Sequence, residues 1–123
     1  MRNEGLTKNF NAGGAVDPHR IVKFGASDHE VVVATDGAAT LLGVTDSLGA
    51  DAAGEPIDVI MDGIPTVIYG GVVSRGAYVT ADATGRAVAA VAGNHVIGIA
   101  MMAGEAGDYG AVRIAPARPD TIA

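Results

Sequence analysis

The sequence predicts a small all-β domain, either an antiparallel β-barrel or a β-sandwich, with an extended N-terminal arm. Glycines and Asp-Gly pairs recur along the whole chain, and short β-branched runs lie between them. Turns at intervals of roughly 8–12 residues are typical of small barrels and sandwiches. Apart from a weak Ala-rich candidate at residues 86–92, no stretch keeps helical apolar spacing free of Gly for more than about two turns.

The runs that predict strands follow one another in order at residues 31–33, 57–61, 66–69, 77–80, 96–99 and 111–114. Apolar and polar residues alternate most clearly at 57–61 and around Arg113, which indicates half-buried antiparallel strands. The run 96–102 does not alternate, so it is either buried on both faces or covered on its outer face by another subunit. We favour the second interpretation.

Two segments of the chain resemble each other. Residues 41–44 followed by 54–60 match residues 96–99 followed by 107–114, with Gly43 and Gly98 in equivalent places and a two-residue difference in the connecting loop. Each segment indicates a strand, an Ala/Gly loop and an alternating strand. Two similar β-units would explain the match, and chance in a Gly- and Ala-rich chain is the alternative.

The composition predicts a thin core. Of the 123 residues, 49% are hydrophobic but only 4% are aromatic; Trp is absent and Gly occurs 18 times. One domain of this length buries only about two thirds of its unfolded surface. We therefore expect the protein to gain stability by association, as an oligomer or with a partner.

Charge and cysteine content exclude several functions. The chain has eight Lys and Arg residues but 14 Asp and Glu residues, and the basic residues are scattered along the sequence. This charge distribution disfavours nucleic-acid binding. The absence of Cys excludes disulfides and thiolate metal sites. The longest apolar run, 96–103, is far shorter than the ~20 residues of a membrane helix, so we expect a soluble protein with no membrane partner and no secretion signal.

Motifs of catalysis and metal binding are incomplete. Ser27, Asp28 and His29 are adjacent, and adjacent side chains of an extended chain point to opposite sides and cannot converge as a triad. His29-Glu30 begins a zinc-protease pattern, but Val33 stands where the second His belongs. Residues 71–76 have the outer spacing of a phosphate loop without its Lys. We predict no enzyme activity, no catalytic or metal site and no cofactor.

The two ends differ from the middle. Residues 1–14 are polar and read as an N-terminal arm, residues 15–115 as the β domain, and residues 116–123 as a Pro-containing C-terminal tail. Leu6 and Phe10 are the candidate anchors of the arm. Met101 and Met102 are candidate contacts to another subunit or shell, because Met commonly packs at a core or an interface.

Spaced Gly, Val and Asp residues carry a family resemblance. Residues 75–88 fit G-x-x-V-x-x-D-x-x-G-x-h, residues 92–100 fit G-x-x-h-h-G-h-A, and residues 107–114 hold G-D and a final V-R-h strand. This order resembles the closing pattern of tailed-phage capsid cement proteins. Residues 43–45 and 53–63 are similar to the preceding strands of that family, so the likeness covers about residues 15–115.

The resemblance implies a non-enzymatic virion protein, made in the bacterial host cytoplasm, on the outer surface of the icosahedral head. There it would clamp adjacent subunits of the major capsid protein. It also implies a homo-oligomer, with a trimer favoured and a dimer left open. The alternative is a small β-barrel ligand-binding or carrier module, which needs an apolar pocket in the monomer.

Overall fold

The computed structural model describes residues 3–4 and 7–114, with side chains from residue 7. These residues form strands and no helix, which confirms the all-β prediction. None of them belongs to a helix that could span a membrane. The strands are β1 Asn3–Glu4, β2 Thr7–Ala12, β3 Ile21–Phe24, β4 Glu30–Val33, β5 Gly43–Thr45, β6 Pro56–Ile60, β7 Gly63–Ile64, β8 Thr66–Ile68, β9 Tyr78–Ala81, β10 Ala87–Ala89, β11 Gly98–Ala100 and β12 Tyr109–Arg113.

Strands β2 to β6 form a closed barrel, the first unit, in the order β2-β4-β3-β5-β6. Its pairs are antiparallel except β2 with β4, which run parallel. The second half of the predicted arm therefore lies in the barrel, because β2 pairs with β6 from Thr7 to Asn11. Phe10 and Ala12 alternate with exposed polar residues, as a half-buried strand requires.

Strands β8 to β12 form the second unit, a sheet in the order β10-β9-β11-β12-β8. A parallel bridge between Tyr69 and Ala87 joins its two outer strands. The order is that of the first unit, with β8 in the place of β2 and β10 in the place of β4. Strand β10 lies within the weak helical candidate 86–92, because antiparallel pairing with β9 overrides the helical preference of Ala.

The two units match at the level of single hydrogen bonds. The amide of Ala12 donates to Glu55 O (2.9 Å), and the amide of Tyr69 donates to Asp108 O (2.9 Å). Gly54 and Gly107, at the equivalent turns, both have a φ of 88°. Two similar β-units, rather than chance, therefore explain the sequence match.

Gly43 and Gly98 have the same structural role. A Cβ at Gly43 would collide with the carbonyl oxygen of Ile60, and a Cβ at Gly98 would collide with that of Arg113. In each unit the strand that follows the turn passes too close for any side chain. The two-residue difference between the copies therefore lies in the loop, and the strand contact is unchanged.

The core of the molecule continues from one unit to the other. Eight buried side chains fill the first unit, among them Phe10, Val22, Val31 and Val59. Four buried side chains of the first unit lie on its outer side and pack in the core of the second unit. They are Ile21, Ala34, Leu41 and Val44. Each fully buried Val, Leu or Ile contributes about 1.5–3 kcal/mol, so this shared layer holds the two units together.

Candidate interaction surface

Large apolar side chains are exposed at several places of the described chain. They are Phe24, Leu48, Val72, Tyr78, Val91, Met101, Met102 and Tyr109. Six of the eight belong to the second unit or its loops. Single exposed apolar side chains are normal on a soluble protein, and a protein contact is indicated only where several lie side by side.

Tyr78, Ile99 and Arg113 form one row across the second unit. Tyr78 pairs with Ile99, and Ile99 pairs with Arg113. Their neighbours Val79, Ala100 and Val112 face the core, so the row faces outward. Met101 continues β11 on the same side, because its amide donates to Ala111 O (2.8 Å) and it stands two positions after Ile99. We call Tyr78, Ile99, Met101 and Arg113 the outer face.

The turn after β11 presents both predicted methionines. Met101 is 43% and Met102 is 47% exposed. The hydroxyl of buried Tyr69 donates to Met102 O (2.6 Å), which ties this turn to the core of the second unit. Burial raises the pKa of Tyr69 above its ordinary value, while backbone hydrogen bonds at Ala111 and Met102 oppose that shift.

Tyr69 has a role that the sequence did not indicate. Its ring lies against Gly104 and Gly110, where a Cβ on either glycine would overlap the ring. The equivalent residue of the first unit is Ala12, so the first barrel has no counterpart of this ring. The only available signal is a Tyr that ends a strand directly before a Gly-Gly pair at residues 70–71.

The candidate anchors lie in different places from the methionines. Leu6 lies outside the described residues. Phe10 is 3% exposed and packs edge-to-face on Phe24, with ring centroids 6.4 Å apart. Phe10 is therefore a core residue of the first unit, and its ring faces the barrel interior in this chain.

The incomplete catalytic motifs of the sequence lie in turns of the structure. Ser27, Asp28 and His29 are exposed in the β3–β4 turn, where Glu30 Oε1 accepts a bond from the amide of Ala26 (2.8 Å). His19 has a φ of 59°, and its ring lies 5.6 Å from that of Tyr109. Among residues 7–114, no three His, Asp or Glu side chains come together as metal ligands.

Along the described part of the chain, surface grooves lie beside the filled barrel, and two of them are as follows. One of about 270 Å³ lies between the units, lined by Ala15, Asp17, Arg20, Val33, Ala83 and Thr84. Arg20 pairs there with Asp17 at 3.7 Å. The second, of about 200 Å³, lies beside Leu48 and Asp58. The interior that a carrier protein would use for its ligand is occupied by Phe10 and its neighbours.

The fold and the outer face define a small tandem β-protein whose surface is suited to contacts with other proteins. A family model described as "phage cement protein" matches residues 2–115, so the chain belongs to that family. This membership associates the chain with the phage capsid. The predicted resemblance is thereby confirmed.

A solved structure has the same fold. The N base of head fiber gp8.5 in bacteriophage phi29 superposes with a TM-score of 0.68 at 20% identity, over 89% of this chain and 93% of that chain. At this identity the likeness is one of fold. A search of curated proteins found no match.

Proposed function

We propose that this chain is a non-enzymatic virion protein that binds the outer surface of the icosahedral head and cements adjacent major capsid subunits. The match of the cement family over residues 2–115 carries the proposal. The exposed outer face supports it, because a cement protein needs apolar contact area rather than a cleft. We further propose that it acts as a homo-oligomer, with a trimer at three-fold positions favoured over a dimer at two-fold positions.

Repetition on a lattice explains how so small a protein can hold a shell together. A standard interface buries about 800 Å² on each partner, which is a large share of a chain whose whole accessible surface is 6052 Å². Contacts that are weak for one copy become tight when an oligomer binds several sites at once. Cementing therefore needs no strong single site.

Co-sedimentation with mature, undecorated heads of the source phage tests this function. Purified protein is titrated onto the heads, and bound copies are counted against the major shell subunit. We expect saturable binding at a fixed ratio near one per shell subunit. Protein that stays in the supernatant at every concentration would end the capsid proposal.

Head stability gives an independent readout. If the protein cements the shell, decorated heads should release their DNA at a higher temperature than undecorated heads. Equal release temperatures at saturating occupancy would show binding without cementing. Such a result would leave capsid association and remove the stabilising role.

We also propose that the N-terminal residues before β2 act as an arm that contacts the capsid, with Leu6 as its anchor. Because β2 is a barrel strand, deletion of residues 1–13 would damage the fold together with the arm. Deletion of residues 1–6 is the cleaner experiment, because it keeps β2 and removes only β1, whose two residues pair with Gly63 and Ile64 of β7. We expect the shortened protein to keep its cooperative unfolding and to bind heads more weakly; unchanged head affinity would refute the arm.

A further inference from the structure

The two units differ in what covers their equivalent outer rows. In the first unit, Ile21 pairs with Val44 and Val44 pairs with Ile60. All three are at most 1% exposed. In the second unit the equivalent row is Tyr78, Ile99 and Arg113; Tyr78 is 41% exposed, Ile99 is half-buried and Arg113 is exposed.

A turn of the second unit approaches the row of the first. The amide of Ile21 donates to Gly85 O (2.7 Å), and Gly85 lies in the β9–β10 turn. A Cβ on Gly85 would come within 2.6 Å of Val33 Cγ2, so the approach is close. Inside one chain, therefore, the β9–β10 turn of the second unit meets the Ile21 end of the outer row of the first unit, and Ile21 and Val44 of that row pack in the core of the second unit.

The equivalent turn of the first unit is exposed. It joins β3 to β4, and residues 26–29 in it are all exposed. It carries Asp28, and the uncovered row carries Arg113, so the two surfaces have opposite charge. The exposed row of the second unit and the exposed β3–β4 turn are thus equivalent to the two elements that already meet inside the chain, the row of the first unit and the β9–β10 turn.

We propose that the β3–β4 turn of a second copy docks on the outer face of the second unit, as the β9–β10 turn docks on the first unit. This contact is head-to-tail, since a turn on one copy meets a row on the next. It deepens the homo-oligomer of the proposed function by assigning its contact surface. Each copy carries both halves of the contact, and a head-to-tail contact whose rotation closes gives a ring.

Engineered cysteines test the head-to-tail geometry in purified protein, because the chain has no Cys. The double variant Ser27→Cys with Tyr78→Cys should give disulfide-linked oligomers under mild oxidation. Each single variant should stay unlinked, because neither position meets itself in a head-to-tail contact. The control is Ser27→Cys with Leu48→Cys, since Leu48 is more accessible than Tyr78 (82% against 41% exposed) but lies in the β5–β6 loop of the first unit.

Three results would contradict the head-to-tail contact. Cross-linking of Tyr78→Cys alone would show a two-fold symmetric contact and overturn the head-to-tail proposal. Equal cross-linking of the double variant and its Leu48 control would indicate random collision and also overturn it. Purified wild-type protein that sediments as a monomer at every concentration would do the same.

A charge substitution gives the second readout. Tyr78→Asp should weaken self-association roughly tenfold or more, because it places an unpaired carboxylate in an apolar contact. Leu48→Asp should leave it unchanged, and circular dichroism reports whether both variants are folded. If Tyr78→Asp weakens head binding but leaves the oligomer intact, the outer face contacts the shell and the inference fails while the proposed function stands.

Discussion

Replacing Tyr69 with Phe removes one hydroxyl from the core of the second unit. That hydroxyl donates to Met102 O at 2.6 Å, and the Tyr69 side chain is fully buried. Loss of such a bond costs about 1–2 kcal/mol. We expect the lower half of this range, because Met102 lies in an exposed turn where water can replace the hydroxyl. For a domain of this length the loss corresponds to a decrease in Tm of about 3–5 °C.

The pH dependence identifies Tyr69 as the cause. Burial raises the pKa of Tyr69 above its ordinary 10.0, so the folded state disfavours the phenolate. The stabilisation is therefore complete below pH 10 and is lost as the pH rises through the pKa of the folded state. Tyr69→Phe removes this loss, so the stability difference between wild type and variant should shrink above pH 10.

Urea unfolding followed by circular dichroism between pH 7 and pH 11 measures both effects. The control is Tyr109→Phe, because Tyr109 is exposed and its loss of a hydroxyl should change stability by no more than about 0.5 kcal/mol. The reasoning is refuted if the two variants unfold at the same urea concentration at pH 7. It is also refuted if the difference between wild type and Tyr69→Phe stays constant up to pH 11.

Three further substitutions test the packing of the two units by urea unfolding. Gly43→Ala and Gly98→Ala should each cost about 1–3 kcal/mol, because the new methyl meets a carbonyl oxygen of the neighbouring strand. Gly71→Ala is their control; its nearest contact would be 3.7 Å away, and a loss as large as that of Gly98→Ala would contradict the close-approach argument. Phe10→Ala should cost about 3–5 kcal/mol if β2 is a barrel strand, and a loss below about 1 kcal/mol would show that the barrel does not depend on it.

Alternation predicted the strands that have one covered face. Residues 57–61 and 111–114 alternate and correspond to β6 and β12, which run antiparallel to their neighbours; β12 is half-buried, and β6 is half-buried up to Val59, after which Ile60 is buried on the opposite face. Strand β2 was not predicted because only Phe10 and Ala12 face the core, and its place between β6 and β4 depends on residues far away in the sequence. Non-local pairing of this kind leaves no local pattern.

Residues 96–102 are buried in the first part of the run and exposed in the last part. Val96 and Ile97 are buried, while Met101 and Met102 are exposed. That another subunit covers the exposed part stays a prediction. The change occurs at Gly98, where the close approach of Arg113 O fixes the strand in the sheet.

The repeat makes local sequence informative about covered faces once the two copies are aligned. Ile21-Val22 is an adjacent apolar pair, as a strand with both faces covered requires, and both side chains are 0% exposed. The equivalent pair is Tyr78-Val79, in which an amphipathic residue replaces the outer Ile. Full burial of Tyr78 would leave its hydroxyl in need of a partner, so this substitution suits a face that is wet in the monomer and covered on association. The same fold thus buries the outer row of the first unit and leaves that of the second exposed, because Tyr78 and Arg113 stand where the first unit has Ile21 and Ile60.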